Sequence, residues 1–452
     1  MTYAEKFITV EEALSHIQSN DVVVSGLAAA EPKAILEKLH TIYDRVENVQ
    51  VSTCLPICMA DYFMNENYRD HFKMNGWFYT GPLRKMHKHG RISYIPNHLH
   101  LAATKRLDYE KPNVYIGNAT PPDKHGFVSL SLSNVYEKRM LEAADLVILE
   151  INKKLPRTFG DVEVHVRDID YMVEVDYDIP TVPDIEPNEK DLAIGKLVAQ
   201  YIKDGDCIQL GIGGIPNAVT ASLYGKKDLG VHTEMMTSGM VDLVEAGVIT
   251  GKKKNLNPGK IVCAFAYGNQ KLYDFLDNNP SVMIMDGHWT NDPCVIGEND
   301  NQVSINTAIE IDLTGQCGSE SLGHVQFSGT GGQADTAIGA QRSKNGRSFI
   351  TLYSTANIRN KETGERKMIS KIVPFLKPGA GVTLSRNDVD YVVTEYGVAA
   401  LKGTDIRERV LRLIAIAHPD FRAELVERAL EYHYIAPEDV ERVVEEKKAV
   451  NL

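Results

Sequence analysis

The sequence predicts an α/β fold made of two related open α/β domains, and three observations predict it. Short apolar runs alternate with helix-like segments throughout, a proline- and acid-rich stretch divides the chain, and the two halves open on the same pattern. The runs include Val22-Val23-Val24, Val114-Tyr115-Ile116, Leu146-Val147-Ile148-Leu149, Cys207-Ile208-Gln209-Leu210, Ile261-Val262-Cys263-Ala264-Phe265, Val282-Met283-Ile284-Met285 and Tyr391-Val392-Val393. They are apolar almost without a break rather than alternately. A strand reads that way when both its faces are covered, which implies largely parallel sheets flanked by helices.

The segment from Asp176 to Pro187 carries Pro180, Pro183 and Pro187 among several acids, so it is neither a central strand nor a helix interior. It reads as a linker and places the boundary between domains 1–184 and 185–452. A helix is expected from about Glu189, with Leu192, Ile194, Leu197, Val198 and Ile202 as its apolar stripe. The first half opens with Asp21 to Gly26, then Pro32, Ala34 and Ile35. The second opens with Asp206 to Gly211, then Pro216, Ala218 and Val219. Convergent strand–turn–helix chemistry produces such a likeness; otherwise the chain is a tandem pseudo-repeat. In the second case the first half has Ala28-Ala29-Ala30 where the second keeps glycines, and ligand chemistry concentrates in the second half. At the C-terminus, Thr404-Asp405 can cap a helix carrying Ile406, Val410, Leu413, Ile414 and Ala417, and Pro419 restarts another with Phe421, Leu425, Val426 and Leu430.

The 452 residues exceed one ordinary core, and 43 % hydrophobic with 24 % charged residues is usual for a soluble globular enzyme. A net charge of −12 argues against nucleic acid as a partner. The six cysteines are thinly spread, and Cys207 and Cys263 lie in apolar runs, which fits free thiols in a reducing compartment. No membrane span and no secretory leader are read from the sequence, so a cytoplasmic location is expected. No metal site is expected. Cys54 and Cys58 lack a second pair, and His87, His89, His98 and His100, interleaved with Arg84, Lys85, Lys88 and Arg91, lack helical metal spacing. These basic residues suit electropositive support for an anion better. The run Lys252-Lys253-Lys254 reads as a solvated loop.

Three features carry chemistry. An apolar strand ending at Leu210 runs into Gly211-Ile212-Gly213-Gly214-Ile215, whose free N–H groups at a helix start suit a phosphate or an oxyanion. Position 216 is proline, where a dinucleotide fingerprint would have its third glycine. Glu234 follows in His232-Thr233-Glu234-Met235, about 20 residues beyond Gly213, where nicotinamide enzymes place a ribose-binding acid. On the residues alone it holds a ribose, performs covalent chemistry or decorates a loop. Third, Gly329-Thr330-Gly331-Gly332-Gln333 lets a backbone approach a ligand closely, and Gln333 can bond an amide or carbonyl. No G-x-S-x-G, H-E-x-x-H or G-x-x-x-x-G-K-[ST] occurs, which weakens hydrolase, zincin and P-loop readings.

In their order, these motifs resemble the acetyl-CoA hydrolase/transferase branch of the class I coenzyme A transferases. The nearest likeness is to 4-hydroxybutyrate and butyryl-CoA:acetate CoA-transferases. Ile369-Ser370-Lys371-Ile372-Val373-Pro374, Val393-Thr394-Glu395-Tyr396-Gly397 and Pro121-Pro122-Asp123-Lys124-His125-Gly126 extend the resemblance over nearly the whole chain. It implies a site in the cleft between the two domains. It further implies that Glu234 is the nucleophile, that Gly211, Ile212, Gly213, Gly214 and Ile215 contact coenzyme A, and that Gly329, Gly331, Gly332 and Gln333 lie against the thioester. The expected activity moves coenzyme A between short-chain carboxylic acids. Acyl-CoA and carboxylate are then its substrates, with no permanently bound cofactor, and a homodimer or homotetramer is its assembly. An acyl-CoA hydrolase on the same scaffold, a nicotinamide-dependent oxidoreductase and a non-catalytic coenzyme A binder are the rivals.

Overall fold

The structure, a computed structural model, describes residues 3–87, 89–183, 185–359 and 364–442. Lys88, named above, and Asp184, the last residue of the first expected domain, lie outside the described residues. The continuous apolar runs form two large sheets. The first has seven parallel strands in the spatial order Tyr171–Val175, Leu146–Asn152, Val114–Ala119, Val22–Ser25, Val49–Cys54, Phe72–Phe78, Ile92–Tyr94. The second runs Gly397–Ala400, Tyr391–Thr394, Arg347–Thr351, Gln302–Thr307, Cys207–Leu210, Gly230–Met236, Ile261–Ala266, Val282–Ile284, Phe159–Gly160. Only its Gly397–Ala400 strand is antiparallel.

Numbered within each half, both sheets share one order. The first strand is central, the second to fourth lie on one side, and the fifth to seventh lie on the other. Convergence on a single strand–turn–helix unit does not reproduce a seven-strand order, so the tandem pseudo-repeat is the better account of the similar openings. Pairing carries the equivalence to single residues. Val22 stands opposite Gln50 and Cys207 opposite Gly230, which makes Cys54 the counterpart of Glu234.

Local chemistry explains the remaining elements. The helix after the linker spans Glu189–Gln200. Asn188 caps it by accepting from the N–H groups of Lys190 and Asp191, while Asp191 reaches back to the Asn188 N–H. The helix Ile406–Ala415 starts where Asp405 accepts from Glu408 N at 2.9 Å, and Pro419 opens the helix Pro419–Glu431. The linker is covered on one side, where Tyr273 donates to Pro180 O at 2.6 Å and Val182 N to Gly268 O at 2.9 Å.

The halves are physically continuous. Phe159–Gly160, from the first half, supplies an edge strand of the second sheet. One apolar cluster contains Trp77, Leu130 and Tyr136 together with Met236 and Phe265. Burial of this seam commits each half to the other.

Two expectations need correction. Lys254 is not solvated. It is 5 % exposed, its stem lies against Gly230, and its ammonium donates to Val231 O (2.8 Å) and Lys260 O (2.9 Å). Carbonyl groups at a strand start need donors as much as the lysine needs acceptors, and that mutual need overrides the solubility of the charge run. The histidine group does not act as a patch either. His89 faces Glu66 at the surface, whereas His100 is carried into the seam between the halves and meets Asp335. No described helix is long and apolar enough to cross a membrane.

Candidate active site

The second sheet reverses its order between Cys207–Leu210 and Gln302–Thr307, since the chain builds outward from the first strand and returns to its other side. In an open parallel sheet the ligand crevice lies at the carboxyl ends of the strands beside such a reversal. A cavity of about 170 Å³ sits there. Its walls include Gly211, Glu234, Thr307, Gly331, Gly332 and Gln333, with Phe78 reaching in from the first half.

Glu234 stands on the Gly230–Met236 strand as its one half-buried position, with buried residues on either side. Its Oε2 accepts from Asn291 Nδ2 at 2.8 Å. The carboxyl pKa is pushed up to about 7. Removal from water is the chief cause and the negative charge of Asp335 adds to it, while the Asn291 amide and the Gly332 N–H pull it down. Glu234 is therefore a carboxylate that water stabilises poorly, which suits an attacking group better than a solvated one. The preceding residue, Thr290, is held by His232, whose Nε2 donates to Thr290 O at 2.8 Å. Burial, with the charge of Lys254, lowers the His232 pKa to about 4, so its ring is a neutral donor near pH 7.

The opposing wall is the glycine loop, which is fixed from the first half. Gly331 O accepts from Leu99 N at 3.1 Å, Tyr94 Oη accepts from Thr330 N at 3.0 Å, and the Arg84 guanidinium lies 3.7 Å from the Phe327 ring centroid. A Cβ at Gly332 would overlap Glu234 Oε2 and Asn291 Nδ2, and one at Gly329 would overlap Trp77 O. Close approach, not a special φ, demands glycine at Gly332, because its φ is −98°. Gly213 differs, because its φ of 122° is a conformation that side chains rarely adopt.

The cavity thus unites Glu234 with Gly211, Gly329, Gly331, Gly332 and Gln333. Ile212 and Gly213 line a neighbouring cavity of about 100 Å³ with Tyr267 and Ser238, on the other side of the same turn. Gly214 and Ile215 line neither cavity. Gly214 lies against the Asp191 carboxylate, and Ile215 is core at 6 % exposure. The helix Gly214–Ala221 has no side-chain cap, so its first N–H groups face the turn without an internal partner. Pro216 sits at its third position, where an N–H would have been unpaired in any case. Gln333 donates to Thr307 O at 3.1 Å, which leaves its buried Oε1 without a partner. Sequence reasoning missed Asn291, Phe78 and Thr307. Nothing in the sequence around Asn291 marks it, because its role comes from the fold bringing a helix end to the carboxylate.

Comparison with known proteins gives the family. Residues 1–183 match the acetyl-CoA hydrolase/transferase N-terminal domain, and residues 268–429 match the corresponding C-terminal domain. The 4-hydroxybutyrate coenzyme A transferase of Clostridium kluyveri is 44 % identical, with 94 % of this chain and 97 % of that protein covered. The succinyl-CoA:cyclohexane-1-carboxylate CoA transferase of Geobacter metallireducens is 41 % identical over 94 % of this chain and 95 % of its own. The crystal structure of RipA from Yersinia pestis superposes with a TM-score of 0.88 at 35 % identity, covering 96 % of this chain and 99 % of that one. On these matches the chain belongs to the acetyl-CoA hydrolase/transferase family and is an enzyme that transfers coenzyme A.

Proposed function

We propose that this enzyme moves coenzyme A between short-chain carboxylic acids through a glutamyl-CoA thioester on Glu234. The observation that carries the reading is a carboxyl with a raised pKa, facing a glycine wall too close to admit any side chain. In the first step a Glu234 oxygen attacks the carbonyl carbon of acyl-CoA. The C–S bond breaks, giving a mixed anhydride and the CoA thiolate. The thiolate then attacks the glutamyl carbonyl, the donor acid leaves as its carboxylate, and the thioester remains on the protein. An acceptor carboxylate runs the two steps backwards. One thioester replaces another, so no oxidant, ATP or bound cofactor is consumed.

The glycine loop supplies backbone N–H donors for the oxyanion of each tetrahedral intermediate. Gln333 Oε1 offers an unpaired acceptor to an amide N–H of the pantetheine arm, which runs over the Gly211–Gly213 turn between the two cavities. The thioester must be discharged by acid rather than water, and the Phe327–Gly332 segment, pinned by Arg84, Tyr94 and Leu99, keeps that face closed.

The test is acceptor dependence. With acyl-CoA alone, the donor acid should be released in no more than stoichiometric amount with enzyme, while CoA stays on the protein as the thioester. Added acetate or butyrate should start turnover with parallel double-reciprocal plots. Continuous CoA release without acceptor would make the enzyme a hydrolase instead.

The reading also fixes a pH response. Glu234 must be ionised to attack, so kcat/KM should rise as pH passes through about 7. The Asn291 hydrogen bond favours the ionised form, so its loss raises the Glu234 pKa further. Asn291→Ala should therefore move the acid limb to higher pH by about one to two units, since a hydrogen bond to a charged group contributes about 1.5–3 kcal/mol. A pH–rate profile with an unmoved limb would contradict the role given to Asn291.

A further inference from the structure

The histidine group singled out in the sequence finds a use in the seam, and this use rests on the nucleophilic reading of Glu234. Asp335 lies in the first turn of the helix Gln333–Arg342, directly after the glycine loop, with its side chain 1 % exposed. Both of its carboxylate oxygens are engaged by one residue of the other half. His100 Nδ1 lies 2.8 Å from Oδ1, and the His100 backbone N–H donates to Oδ2 at 3.1 Å. The next contact along the same segment is Leu99 N to Gly331 O. His288 Nδ1 donates to His100 O at 2.7 Å, and the His98 and His288 rings lie roughly parallel to the His100 ring, with centroids 6.2 and 6.3 Å away. A buried carboxylate bonded twice by one histidine, next to a second bond between the halves at Leu99, is far more specific than a surface ion pair.

We propose that His100 and Asp335 form a charge-compensated positioning pair: it ties the first half to the catalytic glycine loop, and its net charge sets the field in which Glu234 works.

The charges around the pair support this. Burial opposes protonation of His100, but the bond and the charge of Asp335, with a smaller contribution from Asp292, raise its pKa; Lys105 acts the other way. His98 and His288 are the remaining titratable groups beside it. On the Glu234 side, the facing groups are Asp335 and the Cys54 thiol. The negative charge of Asp335 disfavours the Glu234 carboxylate. Protonated His100 screens that charge, and neutral His100 leaves it bare. The pair therefore links the protonation of a first-half side chain to the reactivity of a second-half one without touching substrate.

Three variants of the full chain test the proposal, each followed by thermal unfolding and by pH profiles of kcat and kcat/KM. Asp335→Asn removes the charge, so the acid limb of kcat/KM should move down by roughly half a pH unit or more. His100→Ala leaves Asp335 unscreened and frees the loop, so the limb should move up while kcat falls about tenfold and the acyl-CoA KM changes less than about threefold. His100→Asn restores a donor without the charge. It should recover most of kcat yet keep the raised limb, and it guards against misfolding of the alanine variant. A merely structural pair would lower kcat or stability and leave the limb in place. Limbs within about 0.2 pH unit of wild type in both folded Asp335→Asn and His100→Asn overturn the proposal. Glu234→Ala, run in parallel, separates the two claims. If it keeps full activity the nucleophile reading fails, and if it is inactive while the limbs do not move, only the pair fails.

Discussion

Glu234→Ala is expected to lower acyl-CoA:carboxylate transfer by roughly 10⁴-fold or more, with CoA binding largely retained. The size follows from the role. Without the side-chain carboxyl there is no acceptor for the acyl group and no site for the thioester, so double displacement has no first step. What remains is direct attack by the second acid, which lacks the ordering that a covalent relay supplies. Glu234→Asp sharpens the test, because it keeps the charge and withdraws it by one carbon. The cavity is fixed on the far side by Gly332 and on the near side by Asn291, so the backbone cannot follow the shorter side chain. A misplacement of this size costs about 10²-fold. Steady-state kinetics, together with binding of CoA measured by calorimetry, distinguish lost chemistry from lost affinity. Transfer within tenfold of wild type in the alanine variant would remove Glu234 from the nucleophile role.

The second large effect is expected at Gly332. Adding one methyl group, as in Gly332→Ala, places a carbon within the space of Glu234 Oε2 and Asn291 Nδ2. Two responses are open to the protein. Either the carboxylate swings away, losing the Asn291 bond and its aim, or the loop retreats. Retreat is opposed behind the loop by the Leu99 N–Gly331 O bond and by the helix that starts at Gln333. Either response should reduce kcat by about 10²-fold while the chain still folds, because the strain is local to the cavity. Wild-type kcat in Gly332→Ala would mean that the loop and the carboxylate are not in contact during turnover.

Much of this was legible in the sequence, for identifiable reasons. Parallel strands covered on both faces announce themselves by unbroken apolar runs, and Cys207–Leu210 emerges with the bounds its composition suggests. The capped helices after the linker and at Asp405 follow from local side-chain chemistry that needs no tertiary context. The glycine loop and Glu234 could be singled out as candidates because several motifs recur in one order along the chain; each alone left its role open. Asn291 and Phe78 could not, and neither could the pairing of His100 with Asp335, because each partner comes from an element remote in sequence and nothing in the local neighbourhood records it. Lys254 was misread for a related reason. Its neighbours Lys252 and Lys253 are exposed, and only the carbonyls of Val231 and Lys260 distinguish it. The equivalence of Cys54 and Glu234 needed the sheet order, since the two strands share no motif. The second half has a carboxyl where the first has a buried thiol at the matching point.

The most direct test is chemical trapping. The enzyme is incubated with acyl-CoA in the absence of acceptor acid, reduced with borohydride, digested and mapped by mass spectrometry. A glutamyl thioester predicts that the peptide containing His232 to Met236 carries residue 234 as the corresponding alcohol, in an amount that falls when acceptor acid is added first. Recovery of that peptide with an intact carboxyl at 234, from enzyme exchanging CoA at its full rate, would contradict the covalent route.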